Sequence, residues 1–174
     1  MIDRLTVEEG LSQSDVKCLI QDSLGFLWVG TRDGLNRYDG YRFQTIEFDN
    51  TDSMSLGFNQ ISTLNLLPKG KIIIGSVGGF SVYDYTDRRF HNHYLDQADH
   101  NAIINDIAVV GDTAILATTT GLIFFDLGNK KYLRDNDPAI SQRVITQVKV
   151  SPDRREWVGT STGLFMRQSR GQSL

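Results

Sequence analysis

A chain of 174 residues can fill one good-sized core without an obligatory split into domains. Forty per cent hydrophobic and 22% charged residues are ordinary for a folded protein, and 16 glycines against 3 prolines favour many tight turns over disorder. A net charge of −3 leaves no electrostatic footprint for nucleic acid or for an anionic membrane surface.

Taken in order, residues 4–8 alternate and end at Glu9-Gly10, a strand followed by a turn. Residues 16–21 read as a strand that contains the single cysteine, Cys18, so no internal disulfide forms. No histidine stands near it in sequence, and it reads as a small buried hydrophobe rather than a nucleophile. Residues 26–31 and 35–38 are further strands joined by Asp33-Gly34, a strong two-residue hairpin signal. Asp39-Gly40 repeats that signal ahead of an alternating outer strand at 41–48. After a polar connection, strands follow at 61–67, 71–76, 80–83 and 89–95, then at 103–110, 114–118, 121–125 and 131–133. The last group, 144–150, 156–160 and 164–167, lacks a clear outer strand. No segment carries the i, i+3, i+4, i+7 spacing of an amphipathic helix, and no run approaches the ~20 apolar residues of a membrane span. No signal peptide is read in this chain.

The same stretch recurs four times. Trp28-Val29-Gly30-Thr31 followed by Gly34-Leu35 returns as Trp157-Val158-Gly159-Thr160 followed by Gly163-Leu164. Weaker copies centre on Ile73 with Gly79 and on Ile115 with Gly121. A period in the low forties with four short strands each is the pattern of a propeller blade. The expectation is an all-β propeller of about four four-stranded antiparallel blades, either a complete small ring or an arc of a larger propeller, near 14–50, 58–96, 101–135 and 142–174. Residues 3–9 would supply a closing strand that completes the last blade and removes exposed sheet edges. Gly34, Gly79, Gly121 and Gly163 would occupy one tight turn, and Trp28 and Trp157 would pack between blades. Thr31, Ser76, Thr118 and Thr160 would pin the turn by a hydrogen bond, and Gly30, Gly75 and Gly159 would keep a close approach open.

The run Gln21-Asp22-Ser23-Leu24-Gly25-Phe26-Leu27-Trp28-Val29-Gly30-Thr31, with Leu11-Ser12 before it and Gly34-Leu35-Asn36-Arg37-Tyr38-Asp39-Gly40 and Phe43 after it, resembles the two-component regulator propeller repeats. Ser53-Met54-Ser55-Leu56, Tyr83-Asp84 and Phe90 continue the likeness, and Arg167-Gln168 departs from the expected Tyr-Asp. The resemblance implies the periplasmic or extracytoplasmic sensor region of a bacterial hybrid two-component histidine kinase, responding to carbohydrate. The kinase itself would lie elsewhere in such a protein.

No paired-carboxylate, phosphate-loop or Cys-x-x-Cys signature is present, so no catalytic residue and no cofactor are assigned. His91-Asn92-His93 puts two rings on one strand face, but an outer polar strand explains it, and no metal site is assigned. A ligand would meet the turns between second and third strands and the loops between blades, with Arg32, Asp33 and Asn59 as the binding candidates. The first functional reading is a non-catalytic sensor segment. A protein–protein interaction or assembly module is the alternative, and a propeller lyase, which needs a histidine and a carboxylate at the rim, comes third; self-association through open blade edges is a separate expectation.

Overall fold

The structure, a computed structural model, describes residues 2–168. It divides into two compact units, Met1–Asn101 and Ala102–Leu174. The first holds two antiparallel sheets. One runs β1 (Val16–Gln21), β2 (Leu27–Thr31), β3 (Leu35–Tyr38) and β4 (Phe43–Ile46). The other runs β5 (Ile61–Leu66), β6 (Ile72–Ser76), β7 (Gly79–Asp84) and β8 (Arg89–Tyr94). The second unit holds β9 (Ile104–Val110), β10 (Thr113–Thr118), β11 (Gly121–Asp126) and β12 (Lys131–Arg134) in one sheet. Its other sheet, β13 (Ile145–Val150), β14 (Arg155–Thr160) and β15 (Gly163–Gln168), has three strands among the described residues. Every sheet is a meander in which each strand pairs with its chain neighbour.

The closing strand expected at residues 3–9 is not there. Val7–Glu9 is a 3-10 turn. Thr6 and Glu9 form a capping box, the Thr6 hydroxyl accepting from Glu8 N and the Glu9 carboxylate accepting from Thr6 N, and Gly10 ends the turn at φ 102°. Two orphan donors satisfied locally outweigh an alternating pattern five residues long. The segment that follows docks on the first sheet instead. Leu11 is buried, Ser12 N donates to Asn36 Oδ1 at 2.9 Å, and Asn36 Nδ2 donates to Ser12 Oγ at 2.8 Å. The outer strand of the first sheet is also shorter than the expected 41–48, because Tyr41 N and Arg42 N are both taken by Asp39 Oδ1 at 2.9 Å.

The turn residues behave as a repeat. Thr31, Thr118 and Thr160 each donate a hydroxyl to the carbonyl of the turn glycine, Gly34, Gly121 and Gly163, at 3.1, 2.7 and 2.9 Å. Each hydroxyl also accepts a backbone N–H from inside the turn. The second sheet differs: Ser76 Oγ reaches Gln60 O at 2.5 Å, and the left-handed residue is Gly78, at φ 78°, not Gly79. Gly79 is required for another reason, since a Cβ there would lie 2.4 Å from His93 O. A Cβ on Gly30 would lie 2.5 Å from Ile61 Cγ2 on the neighbouring sheet, the close approach that the small residue permits. The innermost strands share a further device, a register shift at Val16/Cys18, Ile61/Thr63 and Ile145/Gln147 and, in the third sheet, at the β10 pair Ala117/Thr118. These bulges increase the local twist.

Facing sheets supply the cores. In the first unit Trp28 and Leu35 pack with Leu56, Ile61, Leu64, Ile72, Ile74, Tyr83 and Phe90. In the second unit Ile115, Ala117 and Leu122 pack with Ile140, Ile145, Val148 and Val158. Trp28 is fully buried as expected of an inter-blade residue, whereas Trp157 is half-buried.

The Trp28 indole is fixed by a buried acid. Its Nε1 donates to Asp22 Oδ2 at 2.6 Å, and the other Asp22 oxygen accepts from Leu24 N at 2.9 Å and Phe26 N at 3.0 Å. The Tyr85 hydroxyl, from the neighbouring sheet, donates to Asp22 Oδ2 as well. Asp22→Ala orphans these donors and is expected to lower stability by about 3 kcal/mol. Denaturant unfolding followed by tryptophan fluorescence checks this, with exposed Glu47→Ala expected to stay within about 0.5 kcal/mol of the parent.

Candidate functional site

The antiparallel meander places the β2–β3 turn at one end of the first sheet and the β1–β2 and β3–β4 turns at the other. The sequence candidates gather at the first end. Arg32 and Asp33 form the exposed tip of the β2–β3 turn. Asn59 meets the same turn through its backbone, its carbonyl accepting from Gly34 N at 2.8 Å. Its side-chain Oδ1 accepts from Phe48 N at 2.7 Å, so part of Asn59 is committed to holding the loop. Arg32 is loosely held: its Nε lies 3.7 Å from Asp15 Oδ2 with the side chain 65% exposed. That Asp15 is also bound by Lys17 Nζ at 2.6 Å, and the Lys17 hydrogen bond keeps its carboxyl below the usual range. The Asp33 carboxylate has no hydrogen-bond partner among the described residues. In the second unit the corresponding loop residue, Arg143, is spent on structure, donating to Ala139 O and to Thr162 Oγ1.

The opposite end of the first unit carries a site missed in the sequence. A cavity of about 430 Å³ is lined by Phe26, Trp28, Tyr83 and Tyr85 together with Arg37, Gln44 and Arg88. Arg37 is the cross-strand partner of both Trp28 and Gln44. Its guanidinium lies 4.6 Å from the Phe26 ring centre and 5.9 Å from that of Trp28, and its Nη2 donates to Gln44 Oε1 at 2.7 Å. Cation–π contact and one hydrogen bond set the plane of the group and leave most of its N–H donors available. Burial, with Asp22 alongside, pushes the Tyr85 hydroxyl well above the ordinary tyrosine range, so it stays protonated as a donor. The signal that could have found Arg37 is the hairpin itself: pairing about the Gly34 turn sets residue 37 opposite residue 28.

The histidines are engaged elsewhere. His93 stacks on Phe80 with ring centres 4.9 Å apart, and His91 Nε2 lies 2.9 Å from Asp87 Oδ2. Asp84, Asp87 and His91 offer ligand atoms within 4.8 Å of one another. However, the Lys71 ammonium sits 2.6 Å from Asp84 Oδ2, and this opposite charge makes the cluster an ion-pair network. Cys18 packs against the first core, and burial pushes its thiol up to about 12, which removes the thiolate a nucleophile requires.

These successive antiparallel sheets, with one turn chemistry repeated, are blades of a β-propeller, and comparison with solved structures bears out that fold. The extracellular domain of a hybrid two-component system from B. thetaiotaomicron superposes at a TM-score of 0.84 with 24% identity, over 97% of this chain and 25% of that one. A second such domain from the same organism gives 0.80 with 18% identity, over 97% and 22%. Virginiamycin B lyase from Staphylococcus aureus is more distant, at 0.66 and 8% identity over 91% and 57%. Residues 10–33, which hold β1, β2 and the turn between them, match the family model of the two component regulator propeller. Over 48 residues the chain is 52% identical to histidine kinase P4 of Formosa agariphila, a match spanning 28% of this chain and 4% of that protein. The chain thus spans about a quarter of the extracellular domains it resembles. Among the described residues no helix is long and apolar enough to cross a membrane.

Asp84 yields a pH prediction. The Lys71 hydrogen bond, then that from Thr86 N, holds its carboxyl at about 2. The folded value lies below the unfolded value of about 3.9, so the stabilisation is present above that pH and is lost as pH falls toward 2. The melting-temperature gap between the parent and Asp84→Asn should be constant between about pH 7 and 5 and should close on further acidification. A gap unchanged in acid contradicts the assignment.

Proposed function

We propose that this chain is a non-catalytic, extracytoplasmic sensor segment of a two-component signalling protein, and that it responds to carbohydrate. The observation that carries the reading is the match of residues 10–33 to the two component regulator propeller, and a 48-residue stretch of the chain that is 52% identical to a histidine kinase supports it. The engagement of His91 with Asp87 and of His93 with the Phe80 ring favours binding over catalysis. In this reading the ligand meets Arg32, Asp33 and Asn59, whose polar groups pair with sugar hydroxyls. Calorimetric titration of the purified chain with a panel of neutral oligosaccharides tests it. Arg32→Ala and Asp33→Ala should each weaken binding about tenfold with little change in melting temperature, since both side chains are exposed. Absence of binding by both the chain and its intact parent protein overturns the reading.

A second reading, self-association, is favoured by one feature of the fourth blade. Leu164 stands where Leu35 is fully buried in the first blade, yet it is 68% exposed, with Met166 beside it on β15 at 52%. Light scattering over a range of concentrations tests this, and a monomer throughout overturns it. Leu164→Glu should abolish any association.

A further inference from the structure

The face of the fourth blade that carries Trp157 repeats one half of an interface the chain already builds. Residues opposite one another across an antiparallel pair share a face, so Trp157 stands with Lys149 and Met166, and Leu164 lies beside them opposite Gly159. The first blade has Trp28 with Ile20 and Arg37 in these places, and Leu35 opposite Gly30. There the second blade closes the face. Trp28 and Leu35 are fully buried in one cluster with Leu64, Ile72, Ile74 and Tyr83, and the Trp28 and Tyr83 ring centres are 5.3 Å apart. On the fourth blade the matching face is open: Leu164 and Met166 are exposed and Trp157 is half-buried. Gly159 keeps small the position at which Gly30 admits Ile61. Lys149 replaces Ile20, and the aliphatic stem of a lysine packs on apolar surface while its charge stays in water.

The face of the first blade turned away from Trp28 repeats the other half. Leu19 pairs with Val29 as Leu64 pairs with Ile74, and Leu27 pairs with Tyr38 as Ile72 pairs with Tyr83. Tyr38 meets Phe43 with ring centres 4.7 Å apart, as Tyr83 meets Phe90 at 4.9 Å. The segments ahead of the two sheets dock alike. Ser12 N, after buried Leu11, donates to Asn36 Oδ1, and Gly57 N, after buried Leu56, donates to Ser81 Oγ at 3.2 Å. Leu64 is 7% exposed in the closed interface, whereas Leu19 is 60% exposed and Leu27 and Tyr38 are half-buried.

We propose that the Trp157–Leu164–Met166 face of one copy docks on the Leu19–Leu27–Tyr38 face of a second copy, in the register by which the first blade sits on the second. This rests on the self-association reading of the fourth blade and names the surface that receives it. The occupant is a copy of this chain because both halves of an interface formed within the first unit recur on it, and among the described residues neither is covered. The contact joins two different surfaces, so it is heterologous, and a pair keeps one free face of each kind for a further neighbour.

Light scattering over a range of concentrations, on each variant alone and on mixtures, tests the pairing. The parent chain should associate. Leu164→Glu and Leu19→Glu should each stay monomeric at least about tenfold above the concentration at which the parent associates, since each buries an unpaired charge in the contact. Both side chains are exposed, so both melting temperatures should match that of the dilute, monomeric parent. Mixed in equal amounts, the two variants should form a 1:1 heterodimer and grow no further, because one brings an intact Leu19 face and the other an intact Trp157 face. A parent that is monomeric throughout overturns both this proposal and the self-association reading. Association that survives Leu19→Glu, or a mixture that gives no heterodimer, overturns the pairing alone and points to contact between like faces.

Discussion

The first unit depends on one buried carboxylate. Asp22 accepts two backbone N–H groups of its own turn, the Trp28 indole N–H and the Tyr85 hydroxyl from the neighbouring blade. Burying such a group is costly unless its oxygens are fully used. Here they are, so one side chain shapes the β1–β2 turn, sets the Trp28 rotamer and ties two blades together. The rings of Tyr83 and Tyr85 then close on Trp28 with centres 5.3 and 6.4 Å away. Removing any member exposes the others to a low-polarity environment with nothing to bond, and this makes the two blades cooperative.

The second unit ties its blades with different chemistry and leaves one oxygen of its buried acids, Glu156 Oε1, without a hydrogen-bond partner among the described residues. Arg167, where the repeat expects tyrosine, bonds both Glu156 and Asp135, two buried acids, and lies 5.9 Å from the Phe124 ring centre. Three charges out of water are tolerable only together, and losing the arginine would strand two carboxylates. The departure from Tyr-Asp at 167–168 therefore belongs to a coherent substitution within this unit. The blade preserves its backbone pattern while the means of locking blades together is interchangeable.

Sequence logic reached what local chemistry decides. The turn glycines and pinning hydroxyls of the first, third and fourth blades and the small residue at Gly30 are legible because each acts within a few residues or at a recurring close approach, whereas Ser76 of the second blade turns to Gln60 O. The second blade shows the limit. Its Gly78-Gly79 pair can place the left-handed residue at either position, and it falls on Gly78. Residues 3–9 were illegible for a different reason, because period-two alternation and a Thr6–Glu9 capping box compete over the same few residues and the box satisfies more backbone. The Asp22 network and the Arg37 cavity needed cross-blade neighbours such as Tyr85 and Arg88, which no spacing along the chain reveals.

The two units also differ in how much polar capacity they leave unspent. In the second unit the turn tips satisfy themselves: Thr120 and Thr162 each donate a backbone N–H to the hydroxyl of Thr118 or Thr160, and Arg143 caps the β14–β15 turn through Thr162. In the first unit Asp33 stays exposed, Arg32 makes only a long contact to Asp15, and Arg37 and Arg88 face a cavity rather than an acid. A framework repeat that satisfies its own donors has nothing left for a ligand. Groups left without protein partners on an otherwise well-bonded scaffold are where a ligand gains most, and most of all where, as at Arg37, neighbours fix the orientation in advance. In this chain such groups lie in the first unit, at the two opposite ends of its strands.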